Sequence, residues 1–246
     1  MPADKQLLKD FRAGMRDVYR KLSPDEFLQV VKDKLIDYVS RHPKSDPDEL
    51  RQVIRNIFNP EMAKWMKDVN TTYNDVIDLV NEIYSGIAGD LRRELVKLQR
   101  IEKLNALKLG KYSEETAKHI SRSLVDSYSN NLTFQETVFL IGKEDERARF
   151  YANTLATTGM RGYARAGKNE KANIAEIFYY EYVGPLRVMS RDFCVDMVGK
   201  TMHISDINNL SESEVGLAFI SPCIIFAGGW NCGHDWEPDP FYEGEG

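Results

Sequence analysis

Long apolar runs are missing from this chain of 246 residues: no stretch reaches the ~20 residues a helix needs to cross a bilayer. The start, MPADKQLLKDF, has no apolar core behind a basic end, so neither a membrane span nor a signal peptide is expected. Cysteine is scarce and odd in number. Cys194, Cys223 and Cys232 all fall late in the chain, which argues against the disulfide framework of a secreted domain and for reduced thiols in a cytosol. Basic charge is in deficit, with 33 Lys and Arg against 38 Asp and Glu and a formal net charge of -5. Indiscriminate duplex binding depends on cations that neutralise phosphates, so any nucleic-acid contact has to be local. Gly159, Gly162 and Gly167 follow no strand and precede no Lys-Ser/Thr step, which excludes a P-loop and a dinucleotide fingerprint. No internal repeat is present.

What remains is an ordinary globular composition, 42% hydrophobic and 29% charged, in a chain long enough for one domain or two. Leu7, Leu8, Phe11, Met15, Val18, Tyr19 and Leu22 recur at helical steps and predict a first helix. Ser23-Pro24-Asp25-Glu26 reads as a capping box in which Glu26 reaches back, opening a helix to about Ser40 that His42-Pro43 ends. Asp46 to Glu49 and Asn59-Pro60-Glu61 give two further start signals. From Met62 to Leu107 a three-and-four apolar spacing predicts a long helix or two, with Gly86 and Gly89 weakening a continuous coiled coil. Gly110 is expected to cap that helix and Ser113-Glu114-Glu115 to start the next, which places a boundary between a helical region 1–110 and a domain 111–246.

Thr133 to Glu136 forms another capping box, opening a short helix that stops near Gly142, and Glu144 to Ala166 reads as a separate helix. Beyond it the pattern turns mixed. Ile174 to Val183 is aromatic and β-branched enough for a strand, turned by Gly184-Pro185. Ser190 caps a short helix carrying Phe193 and Cys194, Gly199 ends it, Lys200 to Ile204 extends, and Ser205 to Leu210 is a helical turn. Phe219 to Phe226 contains Pro222 and is expected as an edge strand or an irregular buried segment. Asp235, Glu237, Asp239, Glu243 and Glu245 suggest a solvated acidic tail or a small acidic contact. The class is α+β and mostly helical: an N-terminal helical bundle or arm followed by a small mixed α/β C-terminal domain.

Three constellations carry chemistry. Cys194, Cys223, Cys232 and His234 supply three sulfurs and an imidazole, the donor types of a tetrahedral structural zinc site. The bland alternative is a packed corner in which small thiols fill space and His234 bonds to backbone, with Cys223 a buried apolar thiol. A Cys-His nucleophile would need Asp235, Asp206 or His203 to complete it, and no local context supports that. Between Arg147 and Lys171, the six bases Arg147, Arg149, Arg161, Arg165, Lys168 and Lys171 face one acid, Glu170. They are either a solvated helix face or a docking strip for DNA, RNA or an acidic protein.

Two blocks stand out: Phe193-Cys194, four residues, then Gly199-Lys200; and Gly228-Gly229-Trp230-Asn231-Cys232-Gly233-His234-Asp235-Trp236. Together they resemble the Mu F-like phage head morphogenesis, or minor head protein, family, over roughly Ser113 to Pro238 and most clearly after Gly184. His234 follows Cys-Gly here, where Cys-Arg is commoner in the family. The resemblance implies a structural, non-enzymatic protein of a tailed bacteriophage, inside the head near the portal, assisting assembly, genome packaging or DNA delivery. Its partners would be the portal protein, capsid or scaffold proteins and packaged DNA, with no membrane in the free state. No cofactor is required by it, and zinc stays open. The two blocks, with Gly199, Lys200, Trp230 and Trp236, are expected to close on one another as a compact, non-catalytic clasp, leaving region 1–110 for portal docking or self-association.

Overall fold

In the computed structural model the described residues are 5–42, 46–87, 91, 95–130 and 132–242. Pro43, Gly89, Glu243 and Glu245, which entered the expectations above, lie outside them. The fold is α+β and mostly helical, with a helical N-terminal region and a small mixed C-terminal part. Five long helices come first: α1 Lys5–Lys21, α2 Asp25–Arg41, α3 Pro47–Ile83, α4 Leu95–Ser129 and α5 Phe134–Ile174. Then follow β1 Tyr179–Val183, α6 Asp192–Met197, β2 Thr201–His203, α7 Ile204–Asn209, α8 Glu212–Val215, α9 Cys223–Phe226 and β3 Asp235–Pro238. Among the described residues no helix is long and apolar enough to cross a membrane.

Several expected breaks are absent, each for a packing reason. Asn59-Pro60-Glu61 does not restart a helix, and Pro60 sits inside α3. The stripe Leu50, Ile54, Phe58, Met62, Trp65 and Val69 continues across it on one buried face, and that burial outweighs the ~3 kcal/mol an internal proline costs. Gly110 does not cap α4, because Leu109 and Tyr112 are buried on either side and the Tyr112 hydroxyl donates to the Ala148 carbonyl. The boundary expected there therefore falls within a helix. Gly142 likewise leaves α5 unbroken between buried Ile141 and Asp145.

The Thr133 box forms as expected, with the Thr133 amide donating to Glu136 at 2.8 Å and the Glu136 amide to Thr133 Oγ1 at 3.3 Å. At the start of α2 it is Asp25, not Glu26, that engages Ser23, through a 2.5 Å bond from the Ser23 hydroxyl.

Two compact units are assembled from separated stretches, not from consecutive halves: residues 1–20, 72–103 and 157–246 form one, and 21–71 with 104–156 the other. Among its described residues the second unit's only regular elements are helices. Its core holds Phe27 stacked on Trp65 at 5.1 Å and edge-on to Phe58 at 6.1 Å, and Trp65 Nε1 donates to the Leu22 carbonyl at 3.2 Å.

The first unit contains the sheet, antiparallel and ordered β2-β1-β3. Tyr180 of β1 pairs with Met202, and Tyr182 pairs with Trp236. Gly199, at φ +87°, ends α6 as expected, and its amide bonds to the Tyr182 carbonyl at 2.8 Å, so the chain leaves α6 directly into the ladder. Lys200 beyond it is exposed. Tyr180, Tyr182, Phe193, Ile207, Ile224 and Trp236 share one apolar core over this sheet. Phe219 to Phe226 is not a strand: after a cis Ser221-Pro222 bond, residues 223–226 form the turn of helix α9. The acidic tail is also corrected, since Asp235 and Glu237 lie in β3 with all four of its residues buried.

Candidate functional site

The Cys–His corner and the cavity beside it belong to the unit built from residues 1–20, 72–103 and 157–246. The two sequence blocks meet. α6 carries Cys194 inward and the turn before β3 carries Cys232, so the sulfurs lie 3.9 Å apart with His234 Nδ1 3.7 Å from Cys232 Sγ. Tyr182, from the central strand, places its hydroxyl 3.4 Å from Cys194 Sγ and 3.6 Å from Cys232 Sγ, and its ring stacks on His234 at 5.5 Å. Gly228 makes room for this corner. A Cβ there would stand 2.8 Å from Cys194 Sγ and 3.1 Å from Cys232 Sγ. Gly229 has φ +87°, and a Cβ would run into the Ala218 carbonyl oxygen at 1.7 Å. Trp236 closes the corner from β3, edge-on to Tyr182 at 4.6 Å, while Trp230 is half-buried.

The donor set fits a metal. Zn–S bonds of about 2.3 Å and a Zn–N bond of about 2.0 Å at tetrahedral angles require S···S near ~3.8 Å and S···N near ~3.5 Å. The observed 3.9 and 3.7 Å are close to both, and the candidate donor atoms of Cys194, Cys232 and His234 all lie within 4.8 Å of one another. Cys223 is not brought to this group. It lies in α9, 1% exposed, with burial pushing its thiol up to about 11, as expected of an apolar core thiol. Without a metal the two sulfurs share a proton unequally. Cys194 is held well above the ordinary thiol value, first by its bond to Cys232, while Cys232 is pulled down by accepting from Cys194 and by His234 and Arg165.

Among the described residues, Asp235, Asp206 and His203 are not arranged as a relay around the thiol. His234 Nε2 is buried without a hydrogen-bond partner. The Asp235 carboxylate turns to Arg165 at 2.5 Å and Lys168 at 3.7 Å, and Asp206 and His203 both engage Ser205.

The basic strip does not form a single solvated face. Arg165, Lys168 and Lys171 are buried. Lys168 pairs with Glu237 at 2.5 Å, whose other oxygen accepts from the Tyr84 hydroxyl at 2.8 Å, and Lys171 donates to the Tyr84 carbonyl at 3.2 Å. The physical reason is that Arg165 and Lys168 meet the β3 carboxylates Asp235 and Glu237, while Lys171 is taken up by the carbonyls of Tyr84 and Ile87. Arg149 pairs with Asp25 and Asp145 in the other unit, and of the six only Arg147 is exposed.

Arginines instead clamp the turn that carries Cys232. Arg165 Nη2 donates to the carbonyls of His234 at 2.6 Å and Cys232 at 2.9 Å, and Arg161 Nη1 donates to Cys232 O at 3.1 Å. Arg191 donates to Gly228 O at 2.9 Å and Trp230 O at 2.5 Å. Beside the corner lies a cavity of about 550 Å³, to which Cys194, Cys232, His234 and Asp235 contribute one wall. The two blocks pack against one another as a compact clasp, as expected, and one side of that clasp faces the cleft. Sequence reading missed Tyr182, Arg12, Arg16, Arg187 and Arg191. The one available signal was the four-residue step from Arg12 to Arg16, which puts both on one helix face.

Compared with known families, with curated proteins and with solved structures, the chain matches none.

Proposed function

We propose that this chain is a structural minor head protein of a tailed bacteriophage that associates with the portal inside the capsid and assists head assembly, genome packaging or DNA delivery. The observation that supports this reading is the 3.9 Å approach of Cys194 to Cys232. The two blocks on which the resemblance rests belong to one packed corner, as a shared structural motif requires. The corner holds a structural zinc through Cys194, Cys232 and His234, with the Tyr182 hydroxyl beside both sulfurs. Bound zinc would supply cross-linking of α6 to the turn before β3, and thiol deprotonation would accompany its binding. The helical N-terminal region serves portal docking or self-association.

Co-expression with the portal protein of the same virus tests the main claim. Co-elution with the portal ring, and presence in purified particles, is the expected outcome. Elution away from the ring together with absence from particles would overturn it. Elemental analysis tests the zinc separately: about one equivalent per chain is expected, and less than about a tenth counts against the site.

A further inference from the structure

We propose that the cavity beside the Cys194–Cys232–His234 corner binds a phosphate-bearing group of nucleotide size. The proposal goes beyond the structural role above and stands on the cavity alone. Six arginines line it, Arg12, Arg16, Arg161, Arg165, Arg187 and Arg191, against a single carboxylate, Asp235. In a chain whose formal net charge is -5, that is a concentrated reversal of sign. Low-dielectric walls lined by one sign of charge focus the field on an anion.

How those arginines are held matters more than their number. Arg161 and Arg191 are oriented by the backbone carbonyls of Gly228, Trp230, Asn231 and Cys232, which are neutral acceptors. Carbonyls fix a guanidinium in place without cancelling its charge, so the site is preorganised and still cationic. Only Arg165 meets the carboxylate directly. Arg12 Nη2 is buried with no hydrogen-bond partner, and so is His234 Nε2 on the corner wall. The buried Arg12 donor without an acceptor carries a desolvation cost that an oxyanion would relieve. Arg16 and Arg187 are exposed and make no ion pair among the described residues.

Size selects the ligand class. About 550 Å³ lies within the ~300–1,000 Å³ typical of small-molecule sites and exceeds what one inorganic phosphate fills. Forked guanidiniums suit the paired oxygens of a phosphate. The phosphates belong either to a free nucleotide or to the terminal phosphate of a nucleic-acid strand.

Calorimetric titration of the full chain decides between these and against the proposal, using inorganic pyrophosphate, ATP, and a short oligothymidylate with and without a 5′ phosphate. Saturable pyrophosphate binding is expected, weakened about tenfold or more by Arg16→Glu with Arg187→Glu. Both positions are exposed, so thermal unfolding should be unchanged; if the double variant is unstable, Arg187→Gln alone should still weaken binding measurably. Competition by ATP assigns the free nucleotide, and competition only by the 5′-phosphorylated strand assigns the strand end. The proposal is overturned by the absence of saturable pyrophosphate binding at millimolar concentration, by affinity unaltered in the folded arginine variants, or by strand binding that ignores the 5′ phosphate while pyrophosphate does not bind.

Discussion

The unit formed by residues 21–71 and 104–156 and the unit formed by 1–20, 72–103 and 157–246 use charge in opposite ways. In the first, the core is built on Phe27, Phe58 and Trp65, and the ion pairs keep at least one side chain partly in water: Lys34 and Glu61 pair at 2.7 Å with side chains 51% and 19% exposed, and buried Asp145 pairs with Arg149, 27% exposed. In the second, Lys168 and Glu237 pair at 2.5 Å with side chains 1% and 2% exposed, beside buried thiols and a buried imidazole. An exposed pair contributes little because water already solvates both ions. A buried pair costs heavily to desolvate and is costly to break, so it is poor at adding stability and good at fixing geometry. Here what it fixes is β3, and with β3 the positions of His234 and Cys232.

The largest expected effect follows from removing one buried ion. Lys168→Ala leaves Glu237 without its cation and should cost about 3–5 kcal/mol in a urea melt, whereas Lys168→Met with Glu237→Gln should recover most of it. A loss below about 1 kcal/mol for the single variant would erase the distinction between the units. In the apolar unit, Ile54→Val removes one methyl from a fully buried position and should cost about 1 kcal/mol, with no change in the acid limb of stability.

Acid titration sharpens the contrast further. Burial pushes the Asp235 carboxyl up, but Lys168 and Arg165 pull it down further, so it sits below its ordinary 3.8. A depressed carboxyl contributes stability that is complete above 3.8 and is lost as pH falls through the folded value. Glu237 runs the other way. Burial raises it above 4.5, so its contribution is complete below 4.5 and is lost as pH rises through the folded value. Asp235→Asn should therefore flatten the loss of stability measured as pH falls below about 4, and an unchanged slope would refute the assignment. The smallest effect belongs to the exposed pair, where Lys34→Ala should cost no more than about 0.5 kcal/mol.

Much of the fold was legible from short-range chemistry. The stripe through Phe11, Met15 and Val18, the Thr133–Glu136 box, the end of α6 at Gly199 and the β2 segment all depend on neighbours within a few residues, and all formed. Pro60 failed as a start signal, and Gly110 and Gly142 as stop signals, because burial of the residues around them outweighs local propensity. The same limit governed the site. Cys194, Cys232 and His234 were visible as donor types, but the exclusion of Cys223 depends on which face of α9 enters the core. Lys168 reads as part of a solvated face or docking strip and Asp235 as part of a solvated tail or acidic contact because their close partners, Glu237 and Arg165, lie 69 and 70 residues away in sequence. The arginine cavity joins α1, α5 and the segment before α6, and no local pattern announces such a junction.

Everything proposed for the corner requires Cys194 and Cys232 to face one another while Cys223 stands apart. Mild oxidation of the native chain followed by non-reducing peptide mapping measures that directly. The expected product is a single linkage between the Cys194 and Cys232 peptides, with Cys223 left as a free thiol. A linkage involving Cys223, or alkylation of Cys194 and Cys232 as independent thiols with no bond between them, would contradict it.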